Sequence, residues 1–202
     1  HLVIRRQRQM CIRDRSLNEF NKDGSVLDMI GSEHSPGHET NGGSFGQTIS
    51  QAAGVAWARR RKKEKGLVWL FLSDGEFQEG QTWEALMSMA FHKISNLKIV
   101  VDVNGQQVDG KTCDVMNLEP LLEKISSFGA CVKQVDGHDL VALNNAFRTI
   151  HQDKPLVVLA KTSPFRGMEI LEKRYPFLHY VRFKNKNEKE EFKSFLNDMK
   201  LR

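Results

Sequence analysis

Cysteine is scarce. The 202 residues hold only Cys11, Cys113 and Cys131, an odd number with no close metal-type pairing, so neither a disulfide framework nor a zinc ribbon is indicated and a reduced, cytoplasmic compartment fits best. No apolar run approaches the roughly 18 residues needed to cross a bilayer, which argues against an integral membrane protein. The glycines of Gly42-Gly43-Ser44-Phe45-Gly46 follow no strand, have the wrong spacing for a dinucleotide fingerprint, and lack the Lys-Ser or Lys-Thr of a nucleotide P-loop. A surplus of one charge is also missing from most of the chain. The net charge is +5 and the pI about 9.1, values that would raise nucleic acid as a partner. Residues 1–15, however, contain five of the 30 basic residues (Arg5, Arg6, Arg8, Arg13, Arg15) and one of the 25 acidic ones (Asp14), leaving 25 against 24 elsewhere. No nucleic-acid partner is expected of such a body. Residues 1–15 have neither the apolar core of a secretory signal nor the character of a transit peptide; they read as a non-native basic tail, with an anion-binding arm as the alternative.

What is present is an alternation of short apolar runs and helical periodicities. Leu67–Leu72 and Leu97–Val103 are rich in Val, Leu and Ile without period-two alternation, the pattern of buried parallel strands. Between them Trp83, Leu86, Met87, Ala90 and Ile94 recur at helical spacing. Cys131–Val135 and Pro155–Lys161 supply two further strands, with helices from Leu118, Leu121, Leu122 and Ile125 and from Leu140, Leu143, Phe147 and Ile150. Asn117 and Asp139 read as N-caps, Gly129 as a helix stop. Phe192, Phe195, Leu196 and Met199 mark an amphipathic terminal helix expected to close the domain. The expectation is one α/β domain over residues 16–202, a three-layer sandwich around a mostly parallel sheet.

In such sheets ligands bind beyond the carboxyl ends of the strands. Asp74 follows the first strand and Asn104 the second. A carboxylate and an amide oxygen are hard ligands of the kind magnesium takes beside phosphate oxygens. Gly75 permits close backbone approach, and a helix beginning near Glu79 turns free amides toward an anion. The alternative is an ordinary Asp-Gly turn followed by an Asn-Gly turn.

Ser73-Asp74-Gly75-Glu76, with Asn104 thirty positions after Asp74, resembles the thiamine diphosphate signature that opens Gly-Asp-Gly and closes on Asn. Together with Glu79-Gly80, Asp102-Val103-Asn104 and Val108-Asp109-Gly110, it resembles transketolases, over about Gly37 to His179. Ser73 for Gly and Val103 for a polar residue are departures that spare the metal ligands. The resemblance implies the thiamine diphosphate-binding fold. It also implies Mg2+ held by Asp74, Asn104 and the backbone carbonyl of Gln106, and thiamine diphosphate bound near Gly43, Ser44, Phe45, Asp74, Gly75, Glu76, Asn104 and His179. His34, Glu79 and His179 take the remaining roles: His34 facing substrate from the His34–Thr40 loop, Glu79 at a contact between subunits that couples two cofactor sites, His179 at the diphosphate and substrate. Phe45 stands for the family's Leu and Thr48 for its Gly, changes that narrow the pocket.

The implied activity is transfer of a two-carbon ketol unit from a ketose phosphate to an aldose phosphate. Nothing after Gln107 resembles the family's pyrimidine-side domain. The resemblance is therefore to the amino-terminal subunit of a two-chain enzyme working with a separate carboxyl-terminal subunit, as a dimer of such pairs. The family's opening helical region is absent too, so the chain reads as truncated at its amino end. Another thiamine diphosphate enzyme (a deoxyxylulose phosphate synthase or a 2-oxoacid dehydrogenase alpha chain) or a non-catalytic scaffold are the alternatives. The basic run Arg59–Lys63 with Lys65 reads as a solvated helix end, its charge favoured by the helix dipole.

Overall fold

The computed structural model describes residues 22–25, 43–108, 110–179 and 182–200. The expectations for residues 1–15, the Val26–Ile30 cluster and His34 lie outside them. The elements run α1 (Gln47–Arg61), β1 (Val68–Ser73), a 3-10 turn (Asp74–Gln78), α2 (Gly80–Phe91), β2 (Leu97–Val103), the short strands β3 (Gln106–Gln107) and β4 (Gly110–Lys111), α3 (Thr112–Val115), α4 (Leu121–Ser127), β5 (Cys131–Asp136), α5 (Leu140–Phe147), β6 (Leu156–Lys161), a second 3-10 segment (Glu169–Arg174) and α6 (Lys186–Lys200). Among the described residues no helix is long and apolar enough to cross a membrane.

Four strands form one parallel sheet in the order β1-β2-β6-β5. The alternating pleat sends Leu70, Leu72, Leu97, Ile99, Val101, Val157 and Leu159 into one core with Ile49 and Ala56 of α1, Leu86 and Met89 of α2 and Leu121 and Ile125 of α4. Each Leu, Ile, Val or Met among them stabilises the fold by about 1.5–3 kcal/mol on burial. On the opposite face Leu156 and Val158 meet Ala146, Leu143 and Phe147 of α5. Helices on both faces make this the three-layer α/β architecture, and β6, buried on both sides except at Lys161, is the continuous apolar run expected of a central strand.

Several details differ from the expectations. β1 is not buried on both faces: Trp69 and Phe71 are 54% and 71% exposed, because α5 packs on β5 and β6 and reaches β1 only through its last residue, Phe147, whose ring meets Trp69 edge-on. The buried stripe of α2 is Thr82, Ala85, Leu86 and Met89, with Met87 outside. The Thr82 hydroxyl donates to the Glu76 carbonyl at 2.7 Å and Trp83 Nε1 to the Phe77 carbonyl at 2.9 Å, and these bonds fix the rotation of the helix. Asn117 does not cap α4; its Oδ1 accepts from Glu119 N, and Glu119 Oε2 accepts from Leu121 N, starting the helix later. Leu140 and Ile150 are exposed. Asp139 does cap α5, accepting from Val141 N and Ala142 N, and Gly129 ends α4 at φ +92°. The terminal helix α6 does not close the core: Leu196 and Met199 are exposed, and it is held by the Phe183–Phe192 ring contact and the Arg174–Glu188 ion pair.

Candidate functional site

The parallel register brings the tips of β1, β2 and β6 to one edge: Ser73 pairs with Asp102, and Asp102 with Ala160. Asp74 leaves β1 there, 1% exposed. Its Oδ1 accepts from Gly75 N (2.9 Å) and Ser73 Oγ (3.2 Å), and its Oδ2 from Gly105 N (3.2 Å) and Thr112 Oγ1 (3.2 Å). One carboxylate thus ties the β1 turn to the residue after Asn104. Burial pushes the Asp74 carboxyl above its ordinary pKa, a shift the four hydrogen bonds oppose. No ion pair joins it among the described residues.

Asn104 is oriented from below. Its Nδ2 donates to Asp102 Oδ2 at 2.8 Å, while Thr162 Oγ1 donates to Asp102 Oδ1 at 2.5 Å. The amide oxygen is thereby directed the other way, where it accepts from Gln106 N at 2.8 Å. Asp102 entered the sequence pattern only as part of the Asp102-Val103-Asn104 motif, with no role of its own, and Thr112 did not enter it. The signal for Asp102 was there, an acid near the end of a strand whose only other polar residue is Lys98; for Thr112 there was none, since its contact with Asp74 spans 38 positions.

A cavity of about 470 Å³ opens over these tips, lined by Phe45, Ser73, Gly75, Gln78, Asn104, Gln106, Gln107, Val108, Val115 and His179. Phe45, Gly75, Asn104, Gln106 and His179, expected around one ligand, therefore do converge. A side chain at Gly75 would meet the Phe45 ring at 3.2 Å, so this glycine holds open the approach to the backbone. Asp74, expected at the same ligand, is not among these lining residues; it accepts from Ser73 Oγ and Gly75 N of the lining and borders a second cavity of about 240 Å³ with Gly105, Lys111, Thr112, Glu119 and Tyr175. The Lys111 ammonium of this second cavity lies over the Tyr175 ring, 5.2 Å from its centroid.

The other expected residues stand apart from the cavity. Gly43 and Ser44 are exposed and lead into Phe45. Glu76 is buried with its Oε2 accepting from Gly46 N at 2.5 Å; burial raises its pKa, the Gly46 bond lowers it, and the charge of Glu79 raises it further. Glu79 itself is exposed at the N-cap position of α2. Gly46 has φ +80° and passes so close to it that an added Cβ would come within 2.9 Å of Glu79 Cβ, which explains glycine there. His138 accepts from Ser163 N at 2.8 Å, pinning the β5–α5 turn to the end of β6.

The oxygen donors at this edge (a buried carboxylate, an oriented amide, peptide carbonyls) suit a hard divalent cation. The described residues contain no cluster of three His, Cys, Asp or Glu, so a ligand set for zinc is not assembled among them. Gln106 Oε1 and Gln107 Nε2, both on lining residues, are buried without a hydrogen-bond partner, orphans that a polar ligand would satisfy.

Residues 30–168 match the family model described as transketolase, thiamine diphosphate binding domain, which is 139 of the 202 residues. A transketolase family protein of Sinorhizobium fredii is 40% identical over 162 residues, covering 78% of this chain and 58% of that one. One of the subunits of the apulose-4-phosphate transketolase of Actinobacillus succinogenes is 34% identical over 147 residues, covering 72% and 53%. The chain thus spans somewhat over half the length of these two relatives. The crystal structure of transketolase from Campylobacter jejuni superposes with a TM-score of 0.71 at 24% identity, covering 78% of this chain and 26% of that one, a likeness of fold. On the family match and these relatives, the chain belongs to the transketolase family, in its thiamine diphosphate-binding domain.

Proposed function

We propose that this chain is the amino-terminal, diphosphate-binding subunit of a two-chain transketolase, a cytoplasmic enzyme. Asp74, Asn104 and the Gln106 carbonyl hold Mg2+, and the cation fixes the diphosphate of thiamine diphosphate in the cavity over the strand tips. The observation that carries the reading is the convergence of Phe45, Gly75, Asn104, Gln106 and His179 on that cavity, with the buried Asp74 carboxylate hydrogen-bonded to Ser73 and Gly75 of its lining. When bound, thiamine diphosphate supplies the carbon nucleophile for ketol transfer.

The chain's own residues position it. Asp102 and Thr162 orient the Asn104 amide, Thr112 and Gly105 hold the Asp74 carboxylate, and Phe45 and Val108 provide apolar walls. His179 contacts the diphosphate and the sugar in this reading, and His34, outside the described residues, is assigned to the substrate alone. Glu79 lies at a contact between subunits, for which its exposure at the start of α2 leaves room. A partner of the kind implied by the name of the Actinobacillus relative, itself one subunit of its enzyme, completes the site, and a dimer of such pairs transfers a two-carbon unit between sugar phosphates.

Asp74→Ala tests the reading. Calorimetry should find magnesium-dependent thiamine diphosphate binding in the unaltered chain and none in the variant, while circular dichroism shows the fold retained. Equal affinity in both, or affinity indifferent to a chelator, would refute it.

A further inference from the structure

The cavity over the strand tips has no lysine or arginine among its described lining residues. The ligand proposed for it is nevertheless a polyanion, for which Lys or Arg commonly supplies donors. Beside Ser73 and His179, the side-chain donors of the lining are amides, and most of them are engaged. Gln78 Nε2 donates to the Met116 carbonyl at 2.9 Å, Asn104 Nδ2 to Asp102, and Gln106 Nε2 to the Gly105 carbonyl at 3.4 Å. Gln107 Nε2 alone among these amide nitrogens is buried with no partner.

Its backbone is fixed. Gln107 pairs with Gly110 and Gln106 with Lys111 in the β3–β4 hairpin, which Thr112 N closes by donating to the Gly105 carbonyl. The amide nitrogen stands 3.8 Å from where a Cβ on Gly75 would lie, over the turn that carries Asp74. A donor stranded inside a fold costs free energy unless something fills its bond, and here the surroundings offer a ligand cavity and, among the described residues, no protein acceptor.

Building on the thiamine diphosphate reading of this cavity, we propose that the Gln107 side-chain amide donates a hydrogen bond to an oxygen of the diphosphate, serving as an uncharged substitute for a basic residue. Gln107 is then a binding and positioning residue, and its substitution acts through affinity for the phosphate end of the ligand.

The test compares the unaltered chain with Gln107→Met, which keeps the length of the side chain and removes the donor. Calorimetric titrations use thiamine diphosphate with Mg2+ and, separately, inorganic pyrophosphate with Mg2+; thermal unfolding is followed without ligand. The variant should bind both ligands about tenfold or more weakly, the size of a hydrogen bond to a charged group. Its ligand-free Tm should be equal or higher, because the stranded donor has gone. Unchanged affinity would overturn the proposal, as would weakening confined to thiamine diphosphate, which would place the amide on the rings. A lowered ligand-free Tm would mark Gln107 as structural and also overturn it. If the unaltered chain binds neither ligand, the cofactor reading itself falls and this inference with it; if it binds and the variant binds equally, only the role of Gln107 falls.

Discussion

At the scale of single residues, the buried acids are the most telling. Asp74 and Glu76 both have pKa values raised by burial, so in each case the folded chain holds its proton to a higher pH than the unfolded chain does. Between the unfolded and folded values the native state binds more protons, and stability falls as pH rises through that window. Glu76→Gln removes one such group while leaving an oxygen to accept from Gly46 N. The difference in Tm between the variant and the unaltered chain, followed by calorimetry in the absence of ligand, should shift in favour of the variant as pH rises above about 4.5, the ordinary glutamate value. A difference that stays flat across that range would show that Glu76 titrates normally. The identity of the acid and the amide at the strand tips was readable in the sequence, because a turn residue placed just after an apolar strand has its position fixed by topology. The hydrogen bonds that orient them were not: Thr162 reaches Asp102 across 60 positions and Thr112 reaches Asp74 across 38, and no local pattern encodes a pairing made only when the sheet assembles. Ser44, expected at the ligand, is instead exposed and outside the cavity lining.

At the scale of elements, strands were read more accurately than helix faces. All four runs of β-branched and aliphatic residues became strands within a residue or two of their expected bounds, since in a parallel sheet composition alone marks the segment. The face of a helix depends on its rotation, and for α2 that is set by a hydroxyl and an indole bonding to carbonyls of the preceding turn. The consequence is measurable. Met89→Ala removes a fully buried side chain and should cost about 2–5 kcal/mol, whereas Met87→Ala, on the exposed side of the same helix, should change stability by no more than about 0.5 kcal/mol. Urea unfolding of the two variants decides it, and the reverse order would mean that α2 presents a different face to the core from the one described. β1 fails the simple expectation for a related reason. Its sequence is apolar enough for both faces, yet whether a face is covered depends on which helices cross it, and α5 lies over β5 and β6.

At the scale of the whole molecule, the proposed site and the stability of the domain are one system. Asp74 joins the tip of β1 to the segment after β2, and Asp102 joins β2 to the segment after β6, so a ligand gripping Asp74 and Asn104 braces three of the four strands at once. Ligand that binds the native state and not the unfolded chain stabilises it by about 2.7 kcal/mol at a concentration 100 times the dissociation constant. In a chain of this size each kcal/mol corresponds to about 2–4 °C, so saturating thiamine diphosphate with Mg2+ should raise Tm by roughly 5–10 °C. The sign and the metal dependence follow from charge. The diphosphate brings negative charge to an edge where Asp74 and Asp102 are already acidic and no lysine or arginine is among the described residues lining the cavity, so the cation has to offset that repulsion before either partner gains. Thiamine diphosphate in the presence of a chelator should therefore leave Tm unchanged, and Mg2+ alone should give a smaller rise than the pair. An equal rise from thiamine diphosphate without metal would mean that the anion finds its counter-charge elsewhere on the chain, and the pairing of Asp74 with Asn104 around a cation would have to be given up.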